Sequence, residues 1–200
     1  MIKAVIFDWG GVLIENPAPA MLSYFAASLG VAEGALNSAY AEFLPEFQKG
    51  LVTEDALWRI ICRKLGVSNP YVPSLWEEAF KQAYQPREEM FLLVPALRKD
   101  GYRVGLLSNT EKSAARVFQE MHRDVFDTTV FSCDEGTWKP EPEIYQIALN
   151  RMKVQPEEAI FVDDREDFIE GAATVGIRTI LYRTSGQVQK DLDRLLGKTG

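Results

Sequence analysis

Asp8, Ser108, Lys139, Asp163 and Asp164 are the residues of this chain whose types and surroundings suit them to chemistry. Asp8 ends the apolar run that begins at Ile2, within the stretch FDWGGVL, and Gly10 and Gly11 follow closely. Ser108, Asn109 and Thr110 come directly after the apolar VGLL, and Lys139 precedes Pro140 and the stretch EPEIYQIALNRM. Asp163 and Asp164 close the apolar AIFV. Taken singly, a carboxylate after a strand is a turn or cap residue by default, and Ser-Asn-Thr before a helix is a cap cluster. A lone Lys-Pro is by default a solvated loop. Two adjacent acids at the end of a buried run are different, because their charges repel unless a cation, a hydroxyl or a basic group offsets them. Magnesium is the natural offset, since it binds through one or two carboxylates, water and substrate phosphate oxygens.

These residues share a site only if the elements before them lie side by side. From residue 88 onward the sequence alternates helical and strand signals in the manner of a parallel sheet covered by helices. Glu88 to Lys99 reads as a helix that Pro95 should kink. YRVGLLS, TTVFS, AIFVDD and RTILY read as strands. EKSAARVFQEM, EPEIYQIALNRM and DFIEGAATVG read as helices, the last closed by Gly176. Val188, Leu192, Leu195 and Leu196 recur at one-face helical spacing near the C-terminus. Lys3 to Phe7 is a further strand of the same sheet. Ligands bind at the carboxyl ends of strands in such sheets, so Asp8, Ser108, Asp163 and Asp164, with Lys139 from a neighbouring loop, are expected on one rim.

The segment from 15 to 85 shows no convincing strand pattern. Met21, Leu22, Phe25 and Leu29 form one helical apolar stripe, and Ala56, Leu57, Ile60, Ile61 and Leu65 form another. Ser74 and Glu77 make a capping-box pattern before LWEEAF, and SNPYVP is a turn. The expected fold is thus α/β, a Rossmann-like parallel sheet with helices on both faces. Residues 1–14 and 86–200 form its core and 15–85 a small all-helical insertion after the first strand. Trp58 and Trp76 are read as core aromatics.

FDWGGVL, LLSNT, WKPEPEIY and FVDDREDFIEGA, in that order, resemble the four signature motifs of the haloacid dehalogenase-like hydrolase superfamily, and the insertion resembles its helical cap. The motifs are most similar to sugar-phosphate phosphatases of the alpha-glucose-1-phosphate phosphatase type and to the N-terminal phosphatase domain of soluble epoxide hydrolase. The resemblance implies a magnesium-dependent phosphatase in which Asp8 is the nucleophile and forms an aspartyl-phosphate. It assigns phosphate binding to Ser108, Asn109, Lys139 and Gly11, with Lys139 also neutralising transferring charge. It assigns magnesium to Asp8, the Gly10 carbonyl, Asp163 and Asp164. Asn109 shapes its loop, and Asp167 is either a helix-start residue or a supporting acid.

Gly10 departs from the pattern, which has a second aspartate there as general acid and base. Such assistance contributes about 10²–10⁴-fold, so its loss threatens turnover more than phosphate binding. A sugar 1-phosphate has a better leaving group than a simple alcohol and needs the acid less. Three other readings stand beside the phosphatase. A 2-haloacid dehalogenase would use Asp8 without a metal. A phosphonoacetaldehyde hydrolase would need an imine-forming lysine such as Lys49 or Lys81. A phospho-ligand binding protein would have shed its acid.

Substrate choice is expected to rest on Glu15, Asn16, Glu42, Glu46 and Lys49, whose acid and amide groups favour a hexose monophosphate. With 46% apolar and 26% charged residues the chain is long enough for one sizeable core. A formal charge of -7 with no basic cluster gives no support to nucleic-acid or membrane-surface binding. No signal-peptide pattern and no apolar run approaching about 18 residues are present, so a cytoplasmic location is expected. The expected partner is a small phosphorylated molecule, and the protein a monomer or weak homodimer. Cys62 and Cys133 read as buried thiols. His122, at a helix end, is expected to meet terminal carbonyls.

Overall fold

Five short strands, the central three almost wholly buried, form one parallel sheet in this computed structural model, which describes residues 1–198. They are β1 (Ala4–Phe7), β2 (Arg103–Ser108), β3 (Thr128–Phe131), β4 (Ala159–Asp163) and β5 (Arg178–Leu181), in the order β3-β2-β1-β4-β5. Apolar residues on both faces of each strand require helices on both sides of the sheet. Val5, Phe7, Val104, Leu106, Ile160 and Val162 pack toward α6 (Glu88–Lys99), α7 (Lys112–Met121) and α11 (Ser185–Leu196). Ala4, Ile6, Leu107, Val130 and Phe161 pack toward α9 (Pro142–Met152) and α10 (Glu166–Thr174). Pro95 lies inside α6 without ending it.

Between β1 and α6 come five helices: α1 (Ala18–Leu29), α2 (Glu33–Tyr40), α3 (Leu44–Gln48), α4 (Glu54–Leu65) and α5 (Leu75–Ala83). Their apolar faces are continuous with one face of the sheet, through Trp9 in particular. Its ring meets Phe80 of α5 at 4.8 Å and Phe118 of α7 at 4.9 Å. Phe25 contacts Trp58 at 5.0 Å and Trp76 at 4.9 Å, so both tryptophans pack in the core, although Trp76 also lines the cavity described below. α8 (Ser132–Glu135) is a single turn after β3.

Packing corrects three local expectations and adds two helices that no pattern singled out. Short α2 and α3 carry too few apolar repeats to announce themselves, and α2 has no side-chain cap. Ile60, placed on the inner stripe of α4, is 38% exposed because the helix turns Leu57 and Ile61 inward instead. Ser74 caps α5 by accepting from the Glu77 N–H at 3.0 Å, but the Glu77 carboxylate pairs with Lys81 and does not complete the box. The His122 ring does not serve the helix end. It meets the Tyr84 hydroxyl at 2.7 Å and stacks on Phe91 at 4.8 Å, and burial holds it below its ordinary pKa. Both cysteines are free and buried, and among the described residues no helix is long and apolar enough to cross a membrane.

Candidate active site

Strand register brings the first two acids together. Phe7 of β1 lies opposite Val162 of β4, and the Asp8 N–H donates to the Val162 carbonyl at 2.9 Å. Asp8 and Asp163 therefore end neighbouring strands about 4.8 Å apart, at the point where strand order reverses across β1. Ser108 ends β2 on the other side of β1.

Lys139 reaches this junction from the loop before α9. Its ammonium donates to Asp8 Oδ1 at 2.7 Å and to Asp163 Oδ2 at 2.6 Å, and the Lys139 and Asp163 side chains are fully buried. The Phe168 and Phe161 rings lie 4.8 and 5.3 Å from the same nitrogen. A buried ammonium is tolerated only when paired, and here two carboxylates share one charge. Burial alone would lower the Lys139 pKa, but Asp163 and Asp8 override it and hold the group above its ordinary value. Burial pushes Asp8 up to about 7, with Asp163 acting in the same direction and Lys139 opposing it.

Asn109 holds the backbone of Lys139. Its amide nitrogen donates to the Lys139 carbonyl at 2.9 Å and its amide oxygen accepts from the Lys139 N–H at 2.8 Å. The second Asp163 oxygen accepts from the Arg165 N–H at 3.0 Å.

Asp164 completes the cluster. One oxygen from each of Asp8, Asp163 and Asp164 lies within 4.8 Å of the others. Burial, then Asp163, raises the Asp164 pKa. An all-oxygen, carboxylate-rich set beside a single ammonium fits a hard dication such as magnesium. Gly11 makes room for the Asp164 carboxylate. Its φ is +91°, and a Cβ there would sit 2.3 Å from an Asp164 oxygen. Gly11 does not line the cavity above the acids, and its carbonyl accepts from Arg87.

That cavity holds about 420 Å³ between the strand ends and the inserted helices, within the usual range of small-molecule sites. Asp8, Gly10, Ser108, Asn109, Lys139, Asp164 and Asp167 line it. Of the residues expected to choose the substrate, Asn16 alone does so. Glu15 pairs with Arg87, Glu42 with Lys64 and Lys49 with Glu141. Lys81 pairs with Glu77, so neither lysine proposed for imine chemistry faces the cavity. Asp167 sits in the first turn of α10, paired with Arg165.

Two features have no local sequence mark. Glu111, which reads as an ordinary acid at the start of α7, is buried against the cavity. It accepts from Trp76 Nε1 at 2.9 Å and Gln48 Nε2 at 3.0 Å, linking the inserted helices to the sheet. The indole N–H of Trp9, also a lining residue, is buried without a partner among the described residues.

A strand-end aspartate, a strand-end serine, a loop lysine and a closing acid pair on this sheet are the arrangement of one protein class, and the comparison of whole chains agrees. Residues 2–176 match the haloacid dehalogenase-like hydrolase family, and the chain belongs to it. It is 31% identical to mouse acyl-CoA dehydrogenase family member 10 over 98% of its own length, but spans 19% of that protein. It is 27% identical to the sesquiterpene phosphatase astK of Aspergillus oryzae, covering 98% of this chain and 97% of the relative. With the glyceraldehyde 3-phosphate phosphatase of Pyrococcus abyssi it shares 28% identity over 92% of this chain and 82% of the relative. A Bacteroides thetaiotaomicron enzyme of the family, solved with magnesium and inorganic phosphate, superposes with a TM-score of 0.73 at 26% identity, covering 92% of this chain and 95% of that one.

Proposed function

We propose that the protein is a magnesium-dependent phosphomonoesterase that works through an aspartyl-phosphate on Asp8. The observation that carries this reading is the Lys139 ammonium shared between Asp8 and Asp163 beside the cavity between the strand ends and the inserted helices. Two phosphatases matched over 97% and 82% of their lengths support it. In this reading residues 1–14 and 86–200 are the catalytic core, and 15–85 is a cap that excludes water and contacts the leaving group.

A carboxylate oxygen of Asp8 attacks phosphorus, and the ester P–O bond breaks with its electron pair leaving on the alcohol oxygen. Lys139 opposes the upward pull of burial on Asp8 and spreads negative charge away from the phosphoryl group. The Ser108 hydroxyl and its loop bind phosphate oxygens, while Asn109 acts through Lys139 by fixing its backbone. Magnesium held by Asp8, the Gly10 carbonyl, Asp163 and Asp164 would neutralise charge on the phosphoryl oxygens. Water then attacks phosphorus and releases Asp8.

Gly10 supplies no proton to the departing alcohol, so esters with good leaving groups should turn over best. A hexose 1-phosphate meets that condition. The groups read as partners for its hydroxyls, Glu42, Glu46 and Lys49, do not line the cavity.

Phosphate release from activated monoesters in the presence of magnesium tests the reading. Asp8→Asn, which keeps shape and removes the nucleophile, should reduce release to background, and chelator should do the same. Release that survives Asp8→Asn excludes the covalent route, and indifference to chelator excludes the metal.

A further inference from the structure

Resting on the phosphatase reading, we propose that the leaving-group end of this site is built for an apolar alcohol, an aryl or hydrocarbon-chain phosphate monoester, and not for a polyol. The cap side of the cavity is lined by Met21, Phe25, Leu44, Phe80 and Trp76. Phe25 and Phe80 are 3% exposed and Trp76 5%, so their positions are set by the core of the protein and do not adjust to a hydroxylated ligand.

Two of the acceptors on that side, the Glu111 carboxylate and the Asn16 side-chain oxygen, already hold bonds within the protein. Both Glu111 oxygens accept bonds, from Trp76 Nε1 at 2.9 Å and Gln48 Nε2 at 3.0 Å. The Asn16 side-chain oxygen accepts from the Ala18 N–H at 3.1 Å. A sugar ring entering here would surrender its water against largely aromatic and aliphatic walls, at a cost for each hydroxyl left unpaired. A hydrocarbon group loses nothing comparable and gains by burial.

Glu111 raises the competing case of a cationic alcohol, because among the described residues its buried carboxyl bonds to neutral donors and to no lysine or arginine. Its three donors, Gln48, Trp76 and Thr110, are neutral and already in place. They account for its position without a ligand ammonium.

Para-alkylphenyl phosphates test the proposal, because their leaving-group acidity is nearly constant while apolar length grows. With magnesium, kcat/KM should rise about fourfold for each methylene that becomes buried, and butylphenyl phosphate should exceed glucose 1-phosphate and glyceraldehyde 3-phosphate. Leu44→Asn, a half-buried lining position, should lower the butyl-to-hydrogen ratio of the series. A flat or falling series, or a sugar phosphate ahead of it, overturns the apolar assignment while leaving the phosphatase reading intact. If no ester releases phosphate, that reading fails, and calorimetry with para-alkylbenzylphosphonates still decides the pocket. Affinity that climbs with chain length supports it, and affinity independent of length overturns it. Phosphocholine binding more tightly than its neutral isostere 3,3-dimethylbutyl phosphate would assign Glu111 to a ligand cation and also overturn the proposal.

Discussion

Asn109 closes both polar ends of its side chain on the backbone of Lys139, donating to the carbonyl at 2.9 Å and accepting from the N–H at 2.8 Å. The loop that carries the ammonium is thereby tied to the loop that carries Ser108. Asn109→Ala should leave Lys139 charged but poorly placed, and a misplacement near 1 Å costs about 10²-fold in rate. We expect the loss in kcat, with KM changed little. Asn109→Asp keeps the acceptor and loses the donor, so it should fall between the two. A variant that changes KM alone would place Asn109 on the substrate instead.

Lys139→Met removes the charge that Asp8 and Asp163 share in a fully buried setting. Deleting one partner of a buried pair costs about 3–5 kcal/mol, and the loss of transition-state neutralisation should lower kcat by about 10²–10³-fold. Because Asp8 and Asp163 then lack their ammonium, magnesium should raise the Tm of this variant more than that of the wild type. Denaturation with and without the metal measures both effects. Equal metal-induced shifts would show that the acids do not act as one electrostatic unit.

Gly10→Asp should be tolerated and should add the missing proton donor. A Cβ at Gly10 would meet only the Pro17 side chain, at 3.4 Å, and its φ lies outside the left-handed region. The variant should turn over alkyl esters faster, by up to about 10²-fold, and gain less with aryl esters, whose alcohols leave unaided. An equal gain on both would mean that the new carboxylate acts on the metal or the water. By contrast, Gly11→Ala should weaken magnesium binding, because its Cβ occupies the place of Asp164.

Burial lifts the Glu111 carboxyl above its ordinary value of 4.5. A carboxyl that holds its proton more tightly folded than unfolded stabilises the fold fully below its unfolded pKa, and that contribution is lost as pH climbs through the folded value. Tyr40 and Cys133 nearby are both held above their ordinary values and stay neutral there. Wild-type stability should therefore fall relative to Glu111→Gln as pH rises from about 4.5 toward neutrality. Tm measured across that range checks it, and a constant difference between the two proteins contradicts it.

Asp8, Ser108, Asp163 and Asp164 were legible because period and position alone assign them. Each ends a run apolar on both faces, such runs must lie in one covered parallel sheet, and their carboxyl ends must face the same way. Lys139 was legible through its spacing to the helix that follows. The α2 and α3 helices, the outward turn of Ile60 and the Tyr84 partner of His122 were not, because short or ambiguous stripes leave the buried face to be chosen by neighbours distant in sequence. Glu111 shows the limit most plainly. Its neighbours along the chain mark only a helix start, whereas its partners Gln48 and Trp76 lie 63 and 35 residues away. Local pattern determines which residues end a strand, since side-chain alternation is a property of the backbone. Where each charge finds its partner, and what fills the space above it, depends on desolvation in a packed interior, which only the folded chain creates.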